Sequence, residues 1–571
     1  MGIQETYDYW RANVRQDQVA ELERLATNPD ELADAFRKEL EFGTAGLRGI
    51  LGLGPNRMNE YTVGKATQGL ADYLNATCEE PSVAIARDSR LRGEEFVRVC
   101  ARVLAANGVK AYLYPRIEPT PALSFAVRYL GCSAGVNMTA SHNPSAYNGY
   151  KAYGPDGCQI TTQAAKAIQD AINRTDPFAQ VKTVDFDQAV ADGMIQWMGE
   201  DVIDAFVDAV AAVDLEPADA PAADLDLVYT PLNGTGLECV SAILKRVGIA
   251  DLDVVPEQSM PDGNFPTCPY PNPEIREALE LGLARCAQVR PYLLLATDPD
   301  ADRVGIAARH GDEYVLVSGN EMGALLLDYL CARRRELGLP LDESVAITTI
   351  VSSAMIDAMA EDYGFQLRRT LTGFKYIGEQ IGLMEAAGRA DRFLFGFEES
   401  YGYLAGTHVR DKDAVVASML IVQMARWHQA QGRDLIEAVD GLYQRYGYYR
   451  NKTLSFSYPG AAGAERMDQI MGMLHQEPPS TLAGLAVERV VDYAQGAEMP
   501  VVGALLPEDQ PQQLPAANVV EFQLEGGNKI IVRPSGTEPK IKAYLFAKQA
   551  DAAQADQLLA DFEAAARDLL A

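Results

Sequence analysis

Three times along this chain a short apolar strand is followed by a helix, a second strand, a second helix and a third strand that empties into a loop of unusual residues. The first copy predicts a strand over Val83–Ala86, a helix over Glu94–Asn107 stopped by Gly108, a strand over Val109–Tyr114, a helix over Pro121–Leu130 and a strand over Ala134–Met138. The second predicts a strand over Leu225–Thr230, a helix over Leu237–Arg246 before Gly248, a strand over Leu252–Val255, a helix over Glu274–Gln288 and a strand over Tyr292–Ala296. The third predicts strands over Val345–Ile350, Gln366–Thr370 and Arg392–Phe395, with helices over Met355–Tyr363 and Lys375–Ala387 between them. Such alternation with short connections demands a sheet covered by helices in every copy.

The tail departs from the repeat. From Val519 to Phe546 two strands flank the turn Glu525-Gly526-Gly527-Asn528, a loop over Arg533–Thr537 follows, and a helix over Ala552–Leu570 closes the chain. The Pro-rich stretch Pro507–Pro515 is expected as a loop within this part. The predicted class is α/β: three similar α/β domains with mixed sheets, plus a smaller C-terminal α+β domain. The expected boundaries are 1–205, 206–318, 319–453 and 454–571 of the 571 residues. Ligand sites in open α/β sheets gather at the carboxyl ends of strands, so three loaded loops at equivalent strand ends predict one central cleft.

Composition narrows the partners. A formal net charge of -30 repels nucleic acid and anionic membrane at long range, so neither is an expected partner. Eight cysteines without a C-x-x-C pair read as reduced thiols, mostly in the core of a cytoplasmic protein. The start lacks an apolar leader and no run reaches about 18 apolar residues, so secretion and membrane spanning are not expected. Gly2 and Thr6 fit the loose myristoylation pattern, but no basic cluster follows them.

The loaded loops carry the chemistry. Asp298, Asp300 and Asp302 alternate with Pro299 and Ala301 just after an apolar strand, and hard oxygen ligands at that density suit Mg²⁺. An EF-hand would need Gly and Glu where Arg303 and Arg309 stand. Taken alone, the loop is balanced between a metal site and a solvated acidic turn. Ser141 lies in Thr139-Ala140-Ser141-His142-Asn143-Pro144, where Pro144 prevents a strand from continuing and the serine is presented on a loop. A Ser-His hydrolase pair is disfavoured, because adjacent residues rarely face one another and no G-x-S-x-G elbow surrounds them. Arg533, Ser535, Gly536 and Thr537 offer a guanidinium, two hydroxyls and backbone amides suited to a phosphate dianion, or form an ordinary Gly-containing turn. Glu398 and Glu399, in Gly396-Phe397-Glu398-Glu399-Ser400, can accept from sugar hydroxyls, or form a solvated pair.

Together, in this order along the chain, these four loops resemble the α-D-phosphohexomutase superfamily. Thr139–Pro144 is similar to its phosphoserine loop, Asp298–Arg303 to its metal loop, Gly396–Ser400 to its sugar loop and Arg533–Thr537 to its phosphate loop. Phe42–Gly49, Asn148–Lys151 and Arg410–Asp413 resemble further family segments. One departure is Ala301, where many members carry Gly; its methyl restricts positive φ without removing a ligand. The early Gly-Thr-Ala-Gly-Leu-Arg and the Gly-Phe-Glu-Glu-Ser-Tyr-Gly-Tyr run resemble the longer branch that includes bacterial phosphoglucomutases and phosphopentomutase-type relatives.

The resemblance implies an intramolecular phosphotransferase acting on a small phosphosugar, as a monomer or homodimer. Glucose 1-phosphate and glucose 6-phosphate are the first expected substrates, interconverted through phosphorylated Ser141 and glucose 1,6-bisphosphate. Phosphomannomutase and phosphopentomutase activities are the alternatives on the same scaffold; a metal-dependent sugar phosphatase and a non-catalytic sugar-phosphate sensor are alternatives of another class. Mg²⁺ is expected at Asp298, Asp300 and Asp302 with Ser141 as a further ligand. Ser141, His142, Arg48, Lys151, Lys412 and His408 are the expected catalytic residues, with Lys or His as proton carriers. Arg303, Thr372, Gly373, Glu398, Ser400, Arg533, Ser535, Gly536 and Thr537 are expected to bind substrate.

Overall fold

The three repeats close in the same way. In each, the copy's first strand lies in the middle, with its second and third strands parallel on either side. In the first copy these are Ser82–Arg87, Lys110–Leu113 and Ala134–Met138; in the second, Leu227–Thr230, Asp253–Val254 and Leu293–Thr297; in the third, Val345–Thr349, Gln366–Thr370 and Phe393–Glu398. The computed structural model describes residues 2–43, 46–216, 225–458, 460–499, 501–503, 512–535 and 540–571. It divides into two units: Met1–Val317 with Ile377–Asp391 and Tyr401–Arg426, and Ser318–Tyr376 with Arg392–Ser400 and Trp427–Ala571.

The first unit contains two mixed sheets. In one, Tyr147–Tyr153 runs antiparallel to Ala134–Met138, and Leu47–Ile50 pairs antiparallel with Tyr147–Tyr153, setting Arg48 opposite Gly149. In the other, Val304–His310 returns antiparallel to Leu293–Thr297 and forms a hairpin with Glu313–Val317. The central strands are buried along most of their length, as strands covered on both faces are. Leu293, Leu294 and Leu295 are all fully buried, each stabilising the fold by about 1.5–3 kcal/mol. The first helix of the first two copies ends at a residue with positive φ, Gly108 at +76° and Gly248 at +87°, a conformation that glycine adopts without a Cβ clash.

Three short helices, Ile3–Asn13, Val19–Leu25 and Pro29–Phe36, precede the first repeat. They form a small core of their own around Trp10, Leu22, Phe36 and Leu53, and Asn28 caps the third by accepting from the N–H groups of Asp30 and Glu31.

The second unit contains the three parallel strands of the third copy and a six-stranded antiparallel sheet. The order in the latter is Tyr448–Ser457, Lys540–Gln549, Asn528–Pro534, Val520–Leu524, Leu485–Asp492 and Thr481–Leu482. The helix Ala552–Leu569 lays Ala555, Phe562 and Ala566 towards the apolar core. Two expectations are corrected. Residues 512–514 are not loop but strand, pairing antiparallel with Ala497–Met499; 507–511 lie outside the described residues. Gly396, Phe397 and Glu398 continue the third strand rather than forming a loop, because the ladder to Val345–Thr349 persists to Phe397.

Of the eight cysteines, seven are buried, and Cys78, at a helix end, is half-buried. Among the described residues, no helix is long and apolar enough to cross a membrane.

Candidate active site

Two strands of the first unit, Ala134–Met138 and Leu293–Thr297, deliver the serine and the aspartates to one place. Ser141 is 2 % exposed, and its Oγ donates to Asp298 Oδ2 at 2.8 Å. The serine takes φ +53°, which swings its side chain towards its neighbour, so that Oγ stands 3.1 Å from His142 Nδ1. The expectation that these adjacent residues do not face one another is thereby corrected, and the left-handed backbone is the reason.

The loop is held from beneath. Arg90, at the end of the strand Ser82–Arg87, donates to the carbonyl oxygens of Ser141 at 2.6 Å, Pro144 at 2.8 Å and Tyr147 at 2.9 Å, and also to that of Asn143. Asp88 accepts from Thr139 Oγ1 at 2.6 Å, and that hydroxyl oxygen accepts the Ser141 N–H at 2.8 Å. Sequence reasoning passed over Asp88 and Arg90. The only signal was two charges just beyond the strand Ser82–Arg87.

The carboxyl groups of Asp298, Asp300 and Asp302 converge, with one oxygen from each within 4.8 Å of the others. Asp298 Oδ1 accepts the N–H groups of Asp302 and Arg303 at 3.1 and 3.0 Å, which closes the loop. Asp300 Oδ2 accepts from Lys151 Nζ at 2.6 Å and from Thr120 Oγ1 at 2.7 Å. Asp302 Oδ2 lies 3.3 Å from both Lys151 Nζ and Lys412 Nζ. Thr120, which the sequence did not single out, also donates its N–H to the Asp300 carbonyl at 2.8 Å. Ala301 adopts φ +48°, so the alanine accepts the backbone shape that its methyl disfavours.

These groups fit a divalent cation. Among the described residues, Asp300 Oδ1 and Asp302 Oδ1 are buried without a hydrogen-bond partner, an arrangement costly to leave uncompensated. Burial, and then the charges of Asp300 and Asp302, hold the Asp298 carboxyl well above its ordinary range, a strain that a bound cation relieves. Burial pushes Asp300 upward too, but Lys151 and Thr120 outweigh it and hold it below the carboxylate range. Burial works against the Lys151 ammonium, yet Asp300 and Asp302 raise its pKa. Burial, then Arg303 and Arg48, hold His142 well below the imidazole range, so it is neutral.

Around this group, Arg48 Nη1 donates to Asn143 Oδ1 at 3.2 Å, and Arg303 Nη1 donates to Glu274 Oε1 at 2.7 Å. His408 is engaged elsewhere, with Nε2 against Asp413 Oδ2 at 2.9 Å.

A second cluster lies in the second unit. Glu398 Oε1 accepts the Gly373 N–H at 2.7 Å, which ties the strand end to the Thr372-Gly373 turn. Among the described residues, Thr372 Oγ1 is buried there without a hydrogen-bond partner. Burial, followed by the neighbouring Glu398, pushes Glu399 up to about 7. Arg533 donates to the Tyr544 hydroxyl at 3.1 Å and shares a field with Glu398 and Glu399. Ser535 donates its N–H to the Lys540 carbonyl at 2.7 Å, and Ser400 is half-buried beyond Glu399. Gly536 and Thr537 lie outside the described residues.

Four family descriptions match in chain order: the phosphoglucomutase/phosphomannomutase alpha/beta/alpha domains I, II and III over residues 39–178, 204–311 and 318–446, and the C-terminal domain over 489–565. The chain belongs to the phosphoglucomutase/phosphomannomutase family. Members of this family are isomerases, and the fold is accordingly three α/β domains and a distinct C-terminal one. A phosphoglucomutase of Staphylococcus saprophyticus is 35 % identical over 558 residues, covering 97 % of this chain and 98 % of its own. One from Staphylococcus haemolyticus is 36 % identical over 515 residues, with 89 % and 90 % covered. Among solved structures, a phosphoglucomutase/phosphomannomutase family protein of Burkholderia thailandensis shares the fold at TM-score 0.65 and 18 % identity, with 93 % of this chain and 96 % of that one covered. Parafusin from Paramecium does so at 0.66 and 17 %, with 93 % and 95 % covered.

Proposed function

We propose that this member of the phosphoglucomutase/phosphomannomutase family interconverts glucose 1-phosphate and glucose 6-phosphate, carrying the phosphoryl group on Ser141. The observation that carries the reading is the buried contact of Ser141 Oγ with the aspartate triad at 2.8 Å, and the relatives named phosphoglucomutase support the choice of sugar. In the forward half-reaction a hydroxyl oxygen of the sugar monophosphate attacks phosphorus. The new O–P bond forms as the Ser141 Oγ–P bond breaks, the electron pair returns to Oγ, the proton of the attacking hydroxyl is transferred to Oγ to restore the serine hydroxyl, and a glucose bisphosphate results. The second half-reaction runs in reverse on the other phosphate and restores the phosphoserine.

The chain's own groups each have a task in this reading. On rephosphorylation the Ser141 hydroxyl has two proton acceptors within reach, Asp298 Oδ2 at 2.8 Å and His142 Nδ1 at 3.1 Å. Lys151, held protonated, supplies fixed positive charge beside the transferring group. Asp298, Asp300 and Asp302 would hold Mg²⁺, which supplies charge neutralisation for the phosphoryl oxygens when bound. In the second unit Glu398 and Glu399 would accept from sugar hydroxyls, while Arg533 and Ser535 would receive the phosphate that is not transferring.

The test is a coupled assay of glucose 1-phosphate conversion with Mg²⁺ and trace glucose 1,6-bisphosphate, with mannose and ribose phosphates in parallel. Conversion in wild type and none in Ser141→Ala is the expected result. Steady release of inorganic phosphate instead would identify a phosphatase and sink the mutase reading.

A further inference from the structure

His408 sits in the first unit with its side chain 7 % exposed, and its hydrogen bond to Asp413 leads back to the Asp298–Asp302 loop. Its Nε2 lies 2.9 Å from Asp413 Oδ2; a carboxylate can only accept, so this nitrogen carries the proton. The other oxygen, Asp413 Oδ1, accepts the N–H groups of Val415 and Val416 at 2.8 and 3.2 Å, which makes Asp413 the cap of the helix Ala414–Ala430. The N–H of Ala414 is left for another acceptor. It donates to the carbonyl oxygen of Ala301 at 3.2 Å, the residue between two of the aspartates and the one held at φ +48°.

A proton carrier needs the travelling proton within hydrogen-bond reach of a ring nitrogen. Here Nε2 is committed to the helix cap, while Nδ1 is buried with no hydrogen-bond partner among the described residues, in a ring packed 6.1 Å from that of Phe206. We infer that His408 is a positioning residue for the metal loop and not a proton carrier. Its Nε2–H fixes the carboxylate of Asp413, the capped helix fixes the Ala414 N–H, and that N–H holds the Ala301 carbonyl. Asp300 and Asp302, on either side, thereby keep their carboxylates converged despite the unfavourable backbone between them.

This inference rests on the metal reading of the triad and is independent of which sugar is used. The experiment is Mn²⁺ binding to the full chain, followed by electron paramagnetic resonance, for wild type, His408→Gln and His408→Phe, with a thermal melt of each. Glutamine can place an amide N–H where Nε2–H stands; phenylalanine fills the space without a donor. His408→Phe should bind Mn²⁺ about tenfold more weakly than wild type, and His408→Gln within about twofold of it. Unchanged affinity in His408→Phe, or a loss in His408→Gln as large as in His408→Phe, overturns the inference. Should the Phe variant melt early, the Gln variant decides alone: retained affinity supports the positioning role and a tenfold loss overturns it. A wild type that binds Mn²⁺ but is silent on sugar phosphates overturns the mutase reading and leaves this one intact; a wild type that binds no Mn²⁺ overturns this one.

Discussion

The guanidinium of Arg90 donates to the carbonyl oxygen of Ser141 at 2.6 Å, across 51 positions of sequence, and is itself fully buried beside Asp88. Its planar fork serves carbonyls of four residues in one loop, a task that a lysine ammonium on a flexible stem cannot reproduce. Arg90→Lys keeps the charge but leaves some of these carbonyls without a donor, so it should lose stability by about 1–3 kcal/mol for each one left unpaired, and incorporate little phosphate at Ser141. Urea unfolding and intact-mass measurement after incubation with glucose 1,6-bisphosphate check both points.

Asp298→Asn should separate the fold from its ion. Without metal the variant removes a carboxyl that its neighbours already disfavour in charged form, so its melting temperature in chelator should equal or exceed that of wild type. Added Mg²⁺ should raise wild type by up to about 2.7 kcal/mol at a hundredfold excess over Kd, and the variant by much less. Equal stabilisation of the two would remove Asp298 from the ligand set.

Glu118 gives a pH signature. Burial pushes its carboxyl up to about 7 against the opposing pull of Arg116, from an ordinary value of 4.5. The folded state therefore holds a proton that the unfolded chain has released. This contribution is complete below about pH 4.5 and is lost as the pH rises through about 7. Wild type should lose unfolding free energy relative to Glu118→Gln across that window, as measured by denaturant titration at each pH; parallel curves would contradict the assignment.

Ala301 offers a test of backbone strain. Ala301→Gly relaxes the left-handed conformation but removes a buried methyl and loosens the unfolded chain, so its stability should stay within about 1 kcal/mol of wild type. Ala301→Val places a β-branched residue at φ +48° and should cost more than about 2 kcal/mol while weakening Mg²⁺ binding. Thermal melts with and without Mg²⁺ distinguish the two variants.

The repeat was legible because some of its strands, Val83 to Ala86 and Tyr292 to Ala296 among them, read as apolar runs that set the period for the more polar ones. Ala134–Met138, Met355–Tyr363 and Gln366–Thr370 stand where the pattern predicts them, to the residue. The three leading helices were not legible: Val19–Leu25 contributes only two buried residues, too few for a period to emerge. The strand end at Glu398 was read as loop because Gly396 and the two glutamates are poor strand formers, and a parallel partner overrode that preference. Chemistry-bearing side chains could be found from their loops, but Arg90 and Thr120 act on partners 51 and 180 positions away. Such pairings exist only once the sheets have formed. The turn that brings His142 onto Ser141 depends on a backbone angle that residue identity alone does not announce.

That angle also bears on which amino acids evolution can try here. Threonine, like serine, carries a hydroxyl that can be phosphorylated. At φ +53°, however, serine already meets the crowding that disfavours left-handed L-residues, about 1–2 kcal/mol in general, and a branched Cβ would add a restricted χ1 to it. Drift between the two codons is closed at position 141 by the shape of the main chain, before any difference in reactivity is felt.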